Sequence, residues 1–244
     1  MKEVRYFYAP EAVAIDRLPD DEATHALRVL RLSVGDEMYL MDGKGTFYRA
    51  EVTMTAGKHC TYRIIETMPQ EKTWHGHIHL AVAPTKMMER IEWMAEKATE
   101  VGIDEFTFLG CRFSERKQMR VDRIEKTVVS AVKQSRKAFM PIVNDITPFT
   151  DFIRMPRKGR KFIAHCYEEI EKRDFFDEIC RTCVDGDDED ITVMVGPEGD
   201  FSIEEVREAM AEGYVSVSLG ESRLRTETAA LSTVMMASLA RRKR

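Results

Sequence analysis

A parallel α/β sheet preceded by a smaller, β-rich domain is the fold this sequence predicts. Three observations carry that expectation. Up to about residue 70, short alternating apolar runs are spaced by turn signals, among them the hairpin signature Asp42-Gly43-Lys44-Gly45. From Trp74 onward, apolar runs of strand length alternate with stretches of helical spacing, the pattern of a parallel sheet crossed by helices. Near the end, the apolar runs Ile191–Val195 and Tyr214–Leu219 each stop at a glycine turn that feeds a helix.

In the first part, Arg5–Tyr8 reads as a strand and Asp20–Leu30 as a short helix with His25, Arg28 and Arg31 near its end. Gly35-Asp36 turns the chain into Glu37–Met41, and the hairpin leads into Thr46–Thr53. Lys58–Thr67 alternates as a further strand. Several short strands at regular spacing suggest a small barrel. Met68–Lys72 is the expected linker, because Pro69 and a polar run end the pattern.

In the second part, Trp74–Pro84 begins an apolar strand. Met87–Val101 has apolar residues at helical spacing and ends at Gly102, which suits a helix C-cap. Ile103–Leu109 is the next strand, and a helix from about Val121 to Ala138 follows a basic stretch. Phe162–Cys166 is a buried strand. Ser202 followed by Glu205 is a capping box for a helix reaching Glu212. An apolar helix runs from about Ala229 towards the tail.

Composition narrows the class. The chain has 244 residues, 43% hydrophobic and 32% charged, enough for one large or two smaller cores. No apolar run nears the roughly 20 residues that span a bilayer, and the first residues lack a signal-peptide pattern. A cytoplasmic protein with no membrane partner is therefore expected. Five scattered cysteines suit reduced thiols; Cys180-x-x-Cys183, on a helical pattern with no second pair, reads as structural. His75, His77 and His79 share one strand face but stand at its exposed beginning with no carboxylate ligand set, so no metal is expected. The net charge of −5 is unevenly spread. Cys111–Val143 carries nine basic residues against three acidic ones, whereas Asp185–Asp190 is an acidic run read as a solvated loop.

The most informative stretch is Ile191–Leu231. Gly196-Pro197-Glu198-Gly199 follows the first strand, Leu219-Gly220 the second, and Leu224-Arg225-Thr226-Glu227-Thr228-Ala229 opens the last helix. Ligands of open α/β sheets bind where such turns gather, at the carboxyl ends of strands. The order and spacing of these three segments resemble the carboxy-terminal signature of the SPOUT methyltransferases. Among them, they resemble the bacterial family that methylates N3 of a uridine in 16S ribosomal RNA. His25-x-x-Arg28-Val29-Leu30-Arg31 with Gly35-Asp36 also matches that family, as do Lys86-x-x-x-Arg90, Glu96–Glu100, Gln134-Ser135-Arg136 and Pro141–Val143. Asp200 is a departure, where the family pattern has a small residue, often glycine.

The resemblance implies an α/β fold of two domains: residues 1–70 as a PUA-like β-barrel that binds RNA, and 73–244 as a SPOUT methyltransferase domain whose parallel sheet ends in a trefoil knot. It implies S-adenosyl-L-methionine (S-adenosylmethionine) held by Gly196, Pro197, Glu198, Gly199, Leu219, Gly220, Leu224, Arg225 and Thr228. It also implies 16S ribosomal RNA or the small ribosomal subunit as partner, and a homodimer in which Ala229–Leu239 lies at the interface. Attack by uridine N3 requires loss of its proton. A guanidinium suits the charge that develops on the flanking carbonyl oxygens, so Arg225 is expected to stabilise it. Glu227 is expected as proton acceptor, or else as an anchor for the loops. RNA contacts are expected from His25, Arg28, Arg31, Lys86, Arg90, Arg112 and Arg136. A ribose 2′-O-methyltransferase of the same superfamily and a non-catalytic RNA-binding protein of this fold are the alternatives. A phosphate loop is disfavoured, because the chain has neither a Gly-Lys-Ser/Thr ending nor a GxGxxG.

Overall fold

A computed structural model of the chain describes residues 5–184 and 190–243, with the side chains of 182–184 left aside. The acidic run expected over 185–190 lies outside the described residues except for Asp190, as does the side chain of Cys183. The chain divides into two compact units, Met1–Lys72 with Val129–Met140, and Thr73–Val128 with Pro141–Arg244. The expected division at residues 70–73 had given residues 129–140 to the second unit.

The first unit is built on a sheet ordered β1 (Tyr6–Tyr8), β2 (Glu37–Met41), β3 (Thr46–Ala56), β4 (His59–Pro69). β1 runs parallel to β2 and the other pairs are antiparallel. These are the strands expected in the barrel, and Asp16–Leu18 bonds to the outer side of β4, where Leu18 N–H donates to the Cys60 carbonyl and Tyr62 N–H donates to the Asp16 carbonyl. Phe7, Leu18, Met38, Leu40, Tyr48, Val52 and Tyr62 fill the core, from alternate positions of the strands. The expected linker begins late: β4 continues through Pro69, which pairs with Thr46. An edge strand tolerates this, because the missing N–H is not owed to a second neighbour. Asp20–Leu30 is not one continuous α-helix. Asp20–Thr24 (α1) is α-helical and His25–Val29 widens into a π turn.

The second unit holds a seven-stranded sheet. Its strands are β5 (Ile78–Val82), β6 (Glu105–Gly110), β7 (Ile142–Pro148), β8 (Arg160–Ala164), β9 (Arg173–Asp174), β10 (Ile191–Val195) and β11 (Val215–Ser218). All neighbours are parallel, in the order β7-β6-β5-β10-β8-β11-β9. Every residue of β5 and β10 is buried, as expected of central strands covered on both faces. On one face Ala81, Ala83, Ile163 and Met194 pack with Phe149, Phe152 and Ile153 of α4 (Phe149–Arg154) and with Val206 and Ala209 of α6 (Ile203–Ala211). α7 (Thr226–Ala240) packs against β5, β10, α2 (Met88–Val101) and α5 (Phe175–Val184). No described helix is long and apolar enough to cross a membrane.

Local chemistry sets the joints. Gly102 ends α2 at φ 127°, and a Cβ there would lie 3.0 Å from the Trp74 ring. The Trp74 indole N–H donates to Asp104 (2.9 Å), and the same oxygen accepts the Ile78 N–H (2.8 Å) at the start of β5. The expected strand from Trp74 therefore begins only at Ile78. The helix expected to reach Ala138 (α3, Val121–Ser135) stops at Ser135, because Arg136 turns left-handed at φ 53°.

The histidine face differs from its expectation. β5 is central, so His79 is buried rather than at an exposed end. A carboxylate is also present: Glu105 lies 2.9 Å from His77 Nε2 and 3.7 Å from His79 Nε2. Arg157 can only donate, so its 3.0 Å contact makes His79 Nδ1 an acceptor, and Nε2–H donates to Thr107 (2.8 Å). Both imidazole nitrogens are thereby committed to a neutral ring. Among the described residues no group of three metal-ligating side chains is arranged to hold an ion.

Candidate active site

At the carboxyl ends of β10, β8 and β11 a cavity of about 830 Å³ opens within the second unit. Its size is that of a site for a cofactor-sized ligand. The loops after these three adjacent strands converge there, together with the start of α7 and one side chain of α2. Gly196, Pro197 and Glu198 line it after β10, and Leu219, Gly220, Leu224 and Arg225 line it after β11. Gly199 borders Phe113 instead, and Thr228 stands exposed on α7; neither is in the wall.

The loop after β10 is shaped by close approach. A Cβ on Gly196 would sit 3.0 Å from both the Phe201 ring and the Phe201 nitrogen, so a larger residue would push the loop outward. Asp200 takes φ 67° and its two carboxylate oxygens accept the N–H groups of Phe201 and Cys166, each at 2.8 Å. Glu198 accepts the Lys86 N–H at 3.4 Å. Ser202 then caps α6: its hydroxyl accepts the Glu205 N–H (3.2 Å) and Glu205 accepts the Ser202 N–H (2.8 Å). The other Glu205 oxygen accepts the Arg112 N–H at 2.8 Å, tying the loop after β6 to the same helix start.

Arg225 is the N-cap residue of α7, with extended backbone and no side-chain hydrogen bond to the helix start. It is exposed at the cavity wall and makes no ion pair among the described residues. Glu227, two residues on, is buried. One oxygen meets Arg90 at 3.3 Å, and the other is buried without a hydrogen-bond partner among the described residues. Arg90 is thus both a cavity residue and the counter-ion of Glu227.

No sequence signal marks the loop after β8, which supplies His165, Cys166, Glu168 and Lys172 to the wall. His165 is held neutral. Its Nδ1 accepts the Tyr167 N–H (3.2 Å), and Nε2–H donates to Ser216, whose hydroxyl donates to the Glu171 carbonyl (2.8 Å). Burial lowers its pKa accordingly. Burial, with the Asp200 carboxylate adding to it, raises the Cys166 thiol pKa. A strand end in a parallel sheet was the signal that could have pointed here.

The residues expected to contact RNA separate. His25, Arg28 and Arg31 are exposed together around the π turn, with Arg31 at φ 53°. Arg136 belongs to the same unit and stands 5.5 Å over the Tyr6 ring. In the second unit Lys86 pairs with Glu115 (3.2 Å) and Arg112 with Glu204 (3.1 Å), both exposed pairs. Much of the basic stretch is committed internally: Arg116 donates to the carbonyls of Thr85 and Lys86, Arg120 pairs with Asp122, Arg123 with Glu92, and Lys133 with Glu22.

Comparison with known proteins agrees with this geometry. Residues 72–238 match the model of an RNA methyltransferase domain, and residues 18–65 that of an RNA methyltransferase PUA domain. The chain is 28% identical over 219 residues to the ribosomal RNA small subunit methyltransferase E of Rickettsia conorii, covering 89% of this chain and 86% of that protein. Its structure is similar to that of a probable rRNA-methyltransferase from Porphyromonas gingivalis, with 39% identity, a TM-score of 0.87 and 98% of each chain covered. It is also similar to the ribosomal RNA small subunit methyltransferase E of Neisseria gonorrhoeae bound to S-adenosyl methionine, with 26% identity, a TM-score of 0.78 and 95% of each chain covered. With one model spanning most of its length and the other its amino-terminal unit, the chain belongs to the RNA methyltransferase family that carries a PUA domain before a parallel-sheet catalytic domain.

Proposed function

We propose that this protein transfers a methyl group from S-adenosylmethionine to N3 of a uridine in the 16S ribosomal RNA of the small subunit, in the cytoplasm and as a homodimer. The observation that carries this reading is the convergence of the loops after β10, β8 and β11, with Arg225, on one cavity. The cavity fits the donor: glycine at 196 lets the backbone close in, and glycine at 220, φ 115°, leaves open space where a Cβ would project. Gly196, Pro197, Glu198, Leu219, Gly220 and Leu224 would hold the donor, with Gly199 and Thr228 supporting the loops from outside the wall. In this reading the loops belong to a trefoil knot.

When bound, the donor supplies a methyl group activated on a sulfonium. The chain's contribution is to position the uridine and manage its charge. Arg225, exposed at the wall, donates hydrogen bonds to the carbonyl oxygen beside N3 as negative charge builds there while N3–H releases its proton to solvent water. Glu227 acts through Arg90: the pair fixes the first turn of α7 and hence the reach of Arg225. That makes Glu227 a positioning residue, because its carboxylate is buried and faces Arg90 instead of the cavity.

His25, Arg28, Arg31 and Arg136 on the first unit, with Lys86 and Arg112 on the second, supply phosphate contacts. α7 favours the homodimer. It is apolar around its circumference, and Met235 (45% exposed) and Leu239 (63% exposed) share a face with Thr228.

Mass mapping of ribosomal RNA from a strain lacking this protein tests the reading. The expected result is loss of one N3-methyluridine in 16S RNA, restored by the gene. An unchanged map, or loss of a ribose methyl group instead, overturns it.

A further inference from the structure

Asp200 stands where the family resemblance expects a small residue, and the structure shows an ionisable group built firmly into the cavity wall there. Its backbone holds φ 67°, a conformation L side chains rarely adopt but Asp and Asn tolerate best. Its own carboxylate stabilises that conformation by accepting the Phe201 N–H. The second oxygen accepts the Cys166 N–H, which locks the loop after β10 to the loop after β8. An ionised carboxylate has about four acceptor positions, so two remain. Among the described residues it makes no ion pair: His165 is fixed in its neutral form, Lys172 donates to the Tyr167 carbonyl at 2.7 Å, and Arg223, in the same wall, acts there only through space. A rigid carboxylate with acceptor positions to spare and no ion pair of its own, in the wall of a cavity, is placed to receive a cation.

We propose that Asp200 is a specificity-determining residue for the methyl donor, its fixed carboxylate reading a cationic centre of that molecule. The inference rests on the methyl-donor reading above and names the group on the donor side. S-adenosylmethionine carries two cations, the sulfonium and the α-ammonium; its adenosine part carries none. Preference for a charged donor over an uncharged adenosine thioether follows from this carboxylate, beyond what glycine loops supply by shape.

Isothermal titration of the full chain separates the possibilities. S-adenosylmethionine, S-adenosylhomocysteine and 5′-methylthioadenosine are titrated into the wild type, Asp200→Asn and Asp200→Gly. Asn tolerates the left-handed backbone without the charge, and Gly suits it without a side chain. Both variants should bind S-adenosylmethionine at least about tenfold more weakly, the order expected for loss of a close charge-assisted contact. Binding of 5′-methylthioadenosine, which has neither cation, reports what the lost loop hydrogen bonds cost by themselves, so the charge effect is the weakening of S-adenosylmethionine in excess of it. S-adenosylhomocysteine keeps only the ammonium: its parallel weakening assigns Asp200 to the ammonium, and its indifference assigns it to the sulfonium. Equal weakening of all three ligands, or of none, overturns the proposal. A wild type that binds none of them overturns the methyl-donor reading itself.

Discussion

Arg90→Ala separates two roles for one residue, phosphate contact and counter-ion. The Glu227 side chain is 10% exposed and that of Arg90 32%, with 3.3 Å between charged atoms. One Glu227 oxygen is already buried without a hydrogen-bond partner among the described residues. Removing Arg90 therefore leaves a buried carboxylate with no compensation, which costs about 3–5 kcal/mol for a fully buried pair. Arg90 reaches solvent over about a third of its side chain, so the lower end, ~3 kcal/mol, applies. For a protein of this size each kcal/mol lowers Tm by about 2–4 °C, so the variant should melt roughly 6–12 °C early. Arg90→Ala with Glu227→Ala should recover much of that loss, because the stranded charge is gone. Thermal unfolding of the four proteins of this cycle measures the coupling, and RNA binding across a salt series measures the alternative. A phosphate contact would lower the salt slope by about 0.7–0.9 with almost no change in Tm. That pattern would refute the clamp.

Three further outcomes follow from the same geometry. Arg225→Ala should abolish methyl transfer while S-adenosylmethionine binding, measured by equilibrium dialysis, stays within a few-fold; normal turnover would remove Arg225 from the reaction. Ser202→Ala should cost about 1 kcal/mol through loss of the cap on α6, seen as a drop in Tm of roughly 2–4 °C, and an unchanged Tm would contradict the capping box. Acid should destabilise the fold in a defined window. Burial depresses His79 from 6.5 to about 3 against the pull of Glu105, and the His77 hydrogen bond depresses Glu105 from 4.5 to about 2. In both cases the unfolded chain binds protons that the folded one refuses, so stability falls as pH drops below 6.5 and continues to fall towards 2. His79→Leu should flatten the decline between pH 6.5 and 4.5 in chemical denaturation; a decline equal to the wild type's would place its origin elsewhere.

Features fixed by neighbouring residues were legible in the sequence. Ser202 and Glu205 announced the start of α6 because a capping box closes within four residues, and Asp42-Gly43 announced the turn between β2 and β3. The segments at Gly196, Gly220 and Arg225 were visible as strand-to-helix joints, and all three reach the cavity wall. What failed to show depends on distant partners. His79 looked exposed because a strand's beginning usually is, yet β6 and β10 flank it on both sides. Pro69 looked like a terminator, but the outer edge of β4 makes no demand on its missing N–H. The wall after β8 has no glycine or proline signature; only the strand order brings His165 beside the other two loops. Arg90 and Glu227 are 137 residues apart in sequence, and nothing local to either one marks the other as its counter-ion.

The position of β10 has a consequence for how the protein is made. β10 arrives late in the chain but lies between β5 and β8, which cannot pair with each other without it. A nascent polypeptide that has emerged only to β8 therefore carries the partial sheet β7-β6-β5, with an open, apolar flank at β5, and a β8 that has neither of its partners, β10 and β11. Such flanks invite pairing with other chains during synthesis. Ribosome stalling or premature termination before residue 191 should yield sticky fragments dependent on chaperones, whereas emergence of β10 joins β8 to β5 and the cavity closes once β11 and the start of α7 have followed.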